Sequence, residues 1–175
     1  PMDRLREKPP EGAVASVVRR VLGGTEDKIT VRGGFDDLLV FRAKCCNPIR
    51  GEKIVGYITR GKGVSVHSVT CPNVVNLLYD PERRIEVEWD KADASSNYTV
   101  KLTMEDEDRK GVLAAISAKI AGINTNIKNM EARTDEDRHA RIDVTVEISD
   151  LKHLEKVIKS LKGVDGVLDV ERAAR

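Results

Sequence analysis

Aromatic side chains are nearly missing from this chain: Phe35, Phe41, Tyr57, Tyr79, Trp89 and Tyr98 are the whole set in 175 residues. So few rings exclude a surface built on extended base stacking. Cysteine is scarcer still, at three. An odd thiol count argues against a disulfide scaffold and for a reducing compartment, so a cytoplasmic location is expected. No apolar run approaches the roughly 20 residues that span a bilayer, so no membrane partner is expected. The opening "PMDRLREKPPEG" is charged and lacks the apolar region of a secretory signal. Large single-sign charge is absent too, the net being +1.

What is present is a well-solvated chain, 34% charged and 40% hydrophobic, long enough for one large or two small domains. The charge is unevenly spread. Residues 1–72 carry 13 Lys and Arg against 8 Asp and Glu, and residues 73–175 carry 17 against 21. Arg42, Lys44, Arg50, Lys53, Arg60 and Lys62 face a single nearby anion, Glu52. This is the footprint of a polyanionic partner or of a solvated loop rim.

Val14, Val17, Val18, Val21 and Leu22 have helical spacing, with Gly23 and Gly24 as a stop. Residues 1–24 therefore read as the tail of a preceding helical region or a disordered lead-in, and Pro1 before Met2 reads as a segment cut from a larger protein. Residues 25–91 read as a small β-rich domain. Ile29 and Val31 alternate, "DDLLVFRA", "KIVGYITR" and "GVSVHSV" follow as strands, Thr70 caps a short helix over "CPNVVNLLY", and "RIEVEWD" closes as a single strand. Residues 92–96 read as linker.

From Asn97 the pattern changes. Tyr98, Val100, Leu102 and Met104 alternate as one strand, and Ile142, Val144, Val146 and Ile148 as another, with "INTNIKNMEAR" as a strand between them. Val112, Leu113, Ile116 and Ile120 mark one helix, stopped by Gly122. Leu151, Leu154, Ile158 and Leu161 mark a second, capped by Ser149 or Asp150 and stopped by Gly163. "VDGVLDVER" ends the chain as a strand. The order over residues 97–175 is β-α-β-β-α-β, a ferredoxin-like unit. The fold class is thus α+β.

All three thiols and one histidine lie in "AKCCNPIRGEKIVGYITRGKGVSVHSVTCPN". Cys45, Cys46, His67 and Cys71 supply the donor set of a tetrahedral zinc site. Adjacent cysteines on a strand point to opposite faces, so both reach one ion only if the chain turns, as Asn47-Pro48 allows. Buried structural thiols remain a competing reading. A Cys–His nucleophile would need a third, orienting group that nothing marks. "GYITRGK" fits the first seven positions of a P-loop, but Gly63 replaces the required Ser or Thr and a strand follows instead of a helix.

The run "DDLLVFRAKCCNPIRGEKIVGYITRGKGVSVHSVTCPN", with the β-α-β-β-α-β unit after it, resembles the C-terminal regulatory region of the RelA/SpoT (Rel) family of (p)ppGpp synthetases and hydrolases. The resemblance covers roughly residues 25–175. It identifies a conserved-cysteine domain (also called RIS or zinc-finger domain) followed by an ACT domain. It implies a GTP pyrophosphokinase of the stringent response as parent, with catalytic domains upstream and none here; no residue is assigned to catalysis. It implies contact with the ribosome, through ribosomal RNA near the A-site tRNA, by the six cations. Gly56, Gly61 and Gly63 let the backbone approach RNA. At the ACT turn "EDEDRKGV" it implies an amino-acid ligand, with Asp108, Gly111 and Asn124 at the ligand positions, although Asp108 stands where serine-binding members carry Asn. An ACT fold used only for packing and self-association, as a homodimer through open sheet edges, stays open. So does a free-standing amino-acid-binding ACT protein with an RNA-binding, zinc-bearing domain.

Overall fold

The computed structural model of the chain describes residues 16–20, 28–33, 38–61, 63–77, 80–91 and 96–173. The fold is α+β and falls into two β-rich halves.

In the first half, β1 (Ser16–Arg20) pairs antiparallel with β2 (Lys28–Arg32), and β2 with β7 (Val87–Trp89). A second sheet has the order β3 (Leu39–Arg42), β5 (Gly63–Ser68), β4 (Ile54–Ile58) and β6 (Arg84–Ile85). Ile29, Val31, Val40, Val64, Val66, Ile85 and Val87 fill the core between the two sheets. Three expectations are corrected here. The helix expected over 14–22 is a strand at Ser16–Arg20; its β-branched valines suit a strand once β2 supplies a partner, and the rest of that stretch lies outside the described residues. The single strand expected over 84–90 is two, split at Glu86 and shared between the sheets. Gly56 does not face an RNA surface: a Cβ there would lie 2.7 Å from Ile85 Cγ2 and 2.9 Å from Val64 and Val87. Only glycine leaves room there for Ile85 and Val87, where the facing chain passes from one sheet to the other.

In the second half, β8 (Tyr98–Glu107), α2 (Val112–Gly122), β9 (Asn126–Thr134), β10 (His139–Ile148), α3 (Leu151–Lys162) and β11 (Val167–Arg172) follow the expected order. The sheet runs β11-β8-β10-β9, antiparallel throughout. The alternating residues of β8 and β10 are buried under the two helices. Asp150 caps α3, accepting from the His153 amide at 2.8 Å. Leu113, expected on the buried face of α2, is exposed.

The halves are joined. Ile49, from the loop after the cysteine pair, is fully buried in the core of the second half. Trp89 Nε1 donates to the Glu52 carbonyl at 2.9 Å, and its ring meets Tyr98 edge-on. The Arg42 guanidinium sits 5.2 Å from the centre of the Tyr98 ring. Arg172 Nη1 pairs with Glu52 Oε1 at 2.7 Å, and Nη2 donates to the carbonyls of Asn47 at 2.6 Å and Cys46 at 3.2 Å. Among the described residues no helix is long and apolar enough to cross a membrane.

Candidate functional site

Parallel pairing of β3 with β5 places the chain beyond Arg42 beside His67, and the Ala43 amide donates to the Val66 carbonyl at 2.8 Å. The chain then turns. Asn47 donates its amide to the Ala43 carbonyl at 2.8 Å and adopts φ +39°, a left-handed conformation that asparagine tolerates. This turn is what brings adjacent thiols to one point. Cys71 arrives just before α1 (Pro72–Leu77).

The ligand atoms of Cys45, Cys46, His67 and Cys71 all lie within 4.8 Å of one another. Cys45 Sγ is 3.5 Å from His67 Nδ1 and 3.6 Å from Cys71 Sγ, and Cys46 Sγ is 3.9 Å from His67 Nδ1. A tetrahedral ion with bonds of about 2.3 Å to sulfur and about 2.0 Å to nitrogen needs S···S edges of about 3.8 Å and S···N edges of about 3.5 Å. These three edges match that tetrahedron, and the donor set can bind a metal. Outer contacts hold it. Ser65 Oγ is 3.1 Å from His67 Nε2, directing Nδ1 to the sulfurs, and the Ser68 amide donates to Cys46 Sγ at 3.4 Å. Burial holds His67 below the usual histidine range, favouring the neutral, ligating form. Burial pushes the bare Cys46 thiol up to about 12. For Cys45 burial acts upward as well, but hydrogen bonds from Asn73, Cys71 and Cys46 outweigh it and bring the thiol below the ordinary value.

The expected RNA-facing cations divide. Lys44, Lys53 and Arg60 are exposed with no ion pair among the described residues. Arg42 is half-buried at the junction, where Nη1 also donates to the Pro48 carbonyl at 3.4 Å. Arg50 is half-buried, with Nε and Nη2 lacking partners. Lys62 lies outside the described residues. The P-loop look-alike spans β4 and its turn, and the strand β5 follows.

In the second half, Gly111 takes φ +88° at the start of α2, with no side-chain cap. Asp108 is exposed beside it. Asn124, at φ +57°, lies past the other end of α2, about 16 Å away at 1.5 Å per residue. One chain therefore does not bring the three together. Sequence reasoning missed Asp106. It is 1% exposed, both carboxylate oxygens lack a hydrogen-bond partner, and the adjacent Glu107 amide donates to Gly166 instead. A signal was available: Asp106 continues the inward series 98, 100, 102, 104, so a charge stands in an apolar register. His153, expected on a polar helix face, is half-buried, with Nε2 2.7 Å from Thr125 Oγ1.

Burial pushes the Asp106 carboxyl above its ordinary range. The folded state thus holds this proton to higher pH than the unfolded state, and stability falls as pH rises from about 4 through the folded pKa. Asp106→Asn is expected to raise Tm at pH 7.5, with the gain over wild type shrinking as pH is lowered toward 4. Calorimetry across pH checks this, and a pH-independent difference would contradict it.

Comparison with known proteins places these halves. A family model described as the RelA/SpoT RIS domain matches residues 29–90, and one described as an ACT domain matches residues 94–172. The GTP pyrophosphokinase of Streptomyces antibioticus is 41% identical over 147 residues, covering 84% of this chain and 17% of that protein. The bifunctional (p)ppGpp synthase/hydrolase RelA of Mycobacterium tuberculosis is 34% identical over 171 residues, covering 98% of this chain and 23% of that protein. This chain thus spans under a quarter of these relatives. The crystal structure of the ACT domain from the GTP pyrophosphokinase of Chlorobium tepidum aligns with TM-score 0.40 and 22% identity, covering 44% of this chain and 99% of that one.

Proposed function

We propose a function on the premise that this chain belongs to the RelA/SpoT family, whose RIS domain and ACT domain it carries in that order. It is a non-catalytic regulatory module of a GTP pyrophosphokinase, acting in the cytoplasm and relaying the state of the ribosome to synthetase or hydrolase domains elsewhere in the parent. The observation that carries this reading is the welded junction. Arg172 of the last ACT strand grips the carbonyls of Cys46 and Asn47, so an event on one domain is felt by the other.

The metal is zinc, held by Cys45, Cys46, His67 and Cys71 in a closed, four-ligand structural site. It supplies rigidity to the turn and no open position for chemistry. Ribosomal RNA, beside A-site tRNA, is the partner of the RIS domain, met by Lys44, Lys53, Arg60 and Lys62, with Arg42 and Arg50 supporting the loop from behind. Each phosphate contact contributes about 0.7–0.9 to the salt slope of binding. The double reversal Arg60→Glu with Lys62→Glu is expected to weaken ribosome binding and flatten that slope by about 1.5. Ribosome pelleting across a salt series checks this, and unchanged binding would count against the reading.

Asp106 favours a second role, amino-acid sensing. An α-amino acid carries both partners that this end of α2 lacks: an ammonium for Asp106 and a carboxylate for the amides that Gly111 leaves uncapped. Asp108 borders the site. Asn124 joins only from a second copy of the chain, which the open edges at β9 and β11 could recruit as a homodimer. Calorimetric titration with branched-chain amino acids tests this. Heat in wild type that vanishes in Asp106→Asn supports it, and equal heats dismiss it.

A further inference from the structure

Tyr57 is 2% exposed, yet its hydroxyl has no hydrogen-bond partner. A buried phenol ordinarily finds one. Strand alternation explains where it points. Val64 and Val66 of β5 face the core between the sheets, so Ser65 and His67 face the other way, and Tyr57 lies across from Ser65. Over this second face runs α1, with Val74 buried against it. Asn73 and Asn76, three residues apart, share one side of that helix. Arg83 closes the end, its Nε donating to the Ile58 carbonyl at 2.8 Å. These residues and Thr59 line a cavity of about 380 Å³, within the range of small-ligand sites.

The lining restricts the occupant. No carboxylate lines the cavity, so it suits neither an ammonium nor a divalent cation. Its single guanidinium is already 3.7 Å from Asp80, too little free charge for a polyphosphate. The Tyr57 and His67 rings, 6.1 Å apart and edge-to-face, give apolar walls. One unmet buried polar atom, Tyr57 Oη, sits among them, and the exposed Asn76 carboxamide borders the cavity. A flat heterocycle with donors and acceptors on its edge meets this description, and a carboxamide reads a base edge through two hydrogen bonds. Outside the cavity, Arg84, paired in register with Tyr57, and Arg60 are exposed without ion pairs among the described residues. Cations flanking the cavity, and not inside it, suit a strand passing over it.

We propose that the cavity between β4, β5 and α1 takes one unpaired base of a single-stranded RNA segment, with Asn76 and Tyr57 Oη on the base edge and Arg60 and Arg84 on flanking phosphates. The proposal rests on the reading that the RIS domain meets RNA and adds a base-reading site to it. The sparse aromatics still exclude an extended stacking platform; one inserted base meets only the Tyr57 and His67 rings.

The test uses the metal-loaded 175-residue chain, four 12-nucleotide RNAs that differ only in one central base, and the four nucleoside monophosphates. Wild type is expected to prefer one central base. Asn76→Ala should bind that RNA about ten-fold more weakly and lose the preference with its salt slope unchanged. Tyr57→Phe, which keeps the ring, should lose about three-fold. Arg60→Glu should weaken all four RNAs alike. If both cavity variants bind all four RNAs as wild type does, the base site is overturned while RNA binding stands. If RNA fails to bind but a monophosphate binds wild type and not Asn76→Ala, the RNA reading falls and the base site stands with a free nucleotide. If neither binds, both fall.

Discussion

Stripping the proposed zinc from Cys45, Cys46, His67 and Cys71 is expected to be the most damaging single perturbation of this chain. Four ligand atoms lie within 4.8 Å of one another, close enough to gather on one ion. Without an ion, three sulfurs and a neutral imidazole are left to satisfy one another across weak contacts. The same turn carries Ile49 into the ACT core and presents its carbonyls to Arg172, so loosening it opens both domains. Structural zinc in small peptides contributes about 10–16 kcal/mol at neutral pH. Part of this fold stands on its own core, so Cys71→Ser or chelation is expected to cost about 4 kcal/mol, a fall in Tm of about 10 °C for a chain of this size. Elemental analysis should find one zinc per wild-type chain and none in Cys71→Ser. Alkylation of the thiols should be slow until a chelator is added. A metal-free purified chain with an unchanged Tm after chelation would refute the structural-zinc assignment.

Arg172→Ala is expected to cost about 3 kcal/mol, or about 8 °C in Tm. The Arg172 and Glu52 side chains are only 23% and 13% exposed, so solvent screens their pair little. The substitution leaves the Glu52 carboxylate with one remaining partner, the Ile49 amide at 2.7 Å, and leaves the carbonyls of Cys46 and Asn47 without their donor. Arg172→Lys should recover less than half of the loss, because one ammonium cannot span a carboxylate and two carbonyls as a planar guanidinium does. Differential scanning calorimetry decides it. A shift below 2 °C would mean that Ile49 and the Trp89–Tyr98 contact hold the halves together without this arginine.

Much of the second half was legible because its signals are local. Alternation at 98–104 and 142–148, a capping Asp150 and a closing Gly163 each act within a few residues of where they stand. The donor set was legible as residue types, and Asn47-Pro48 as the turn it needs. The same local logic erred at residues 16–20, where Val17 and Val18, read as part of a helix, serve a strand whose partner lies beyond Thr25. It erred also at 84–90, where one alternating run divides between two sheets. Asp106 was readable in principle as a charge in an apolar register.

By itself, then, the sequence determined the α+β class, the β-α-β-β-α-β order of the second half and the residue types able to ligate a metal, since periodicity, capping and side-chain chemistry are properties of neighbours along the chain. Tertiary structure decided that adjacent thiols converge, that Ile49 and Arg172 weld two domains into one piece, and that Tyr57 ends in a cavity without a partner. Those outcomes depend on which distant segments pair. Pairing is settled by the burial and hydrogen bonding of the whole assembly, which no local window contains.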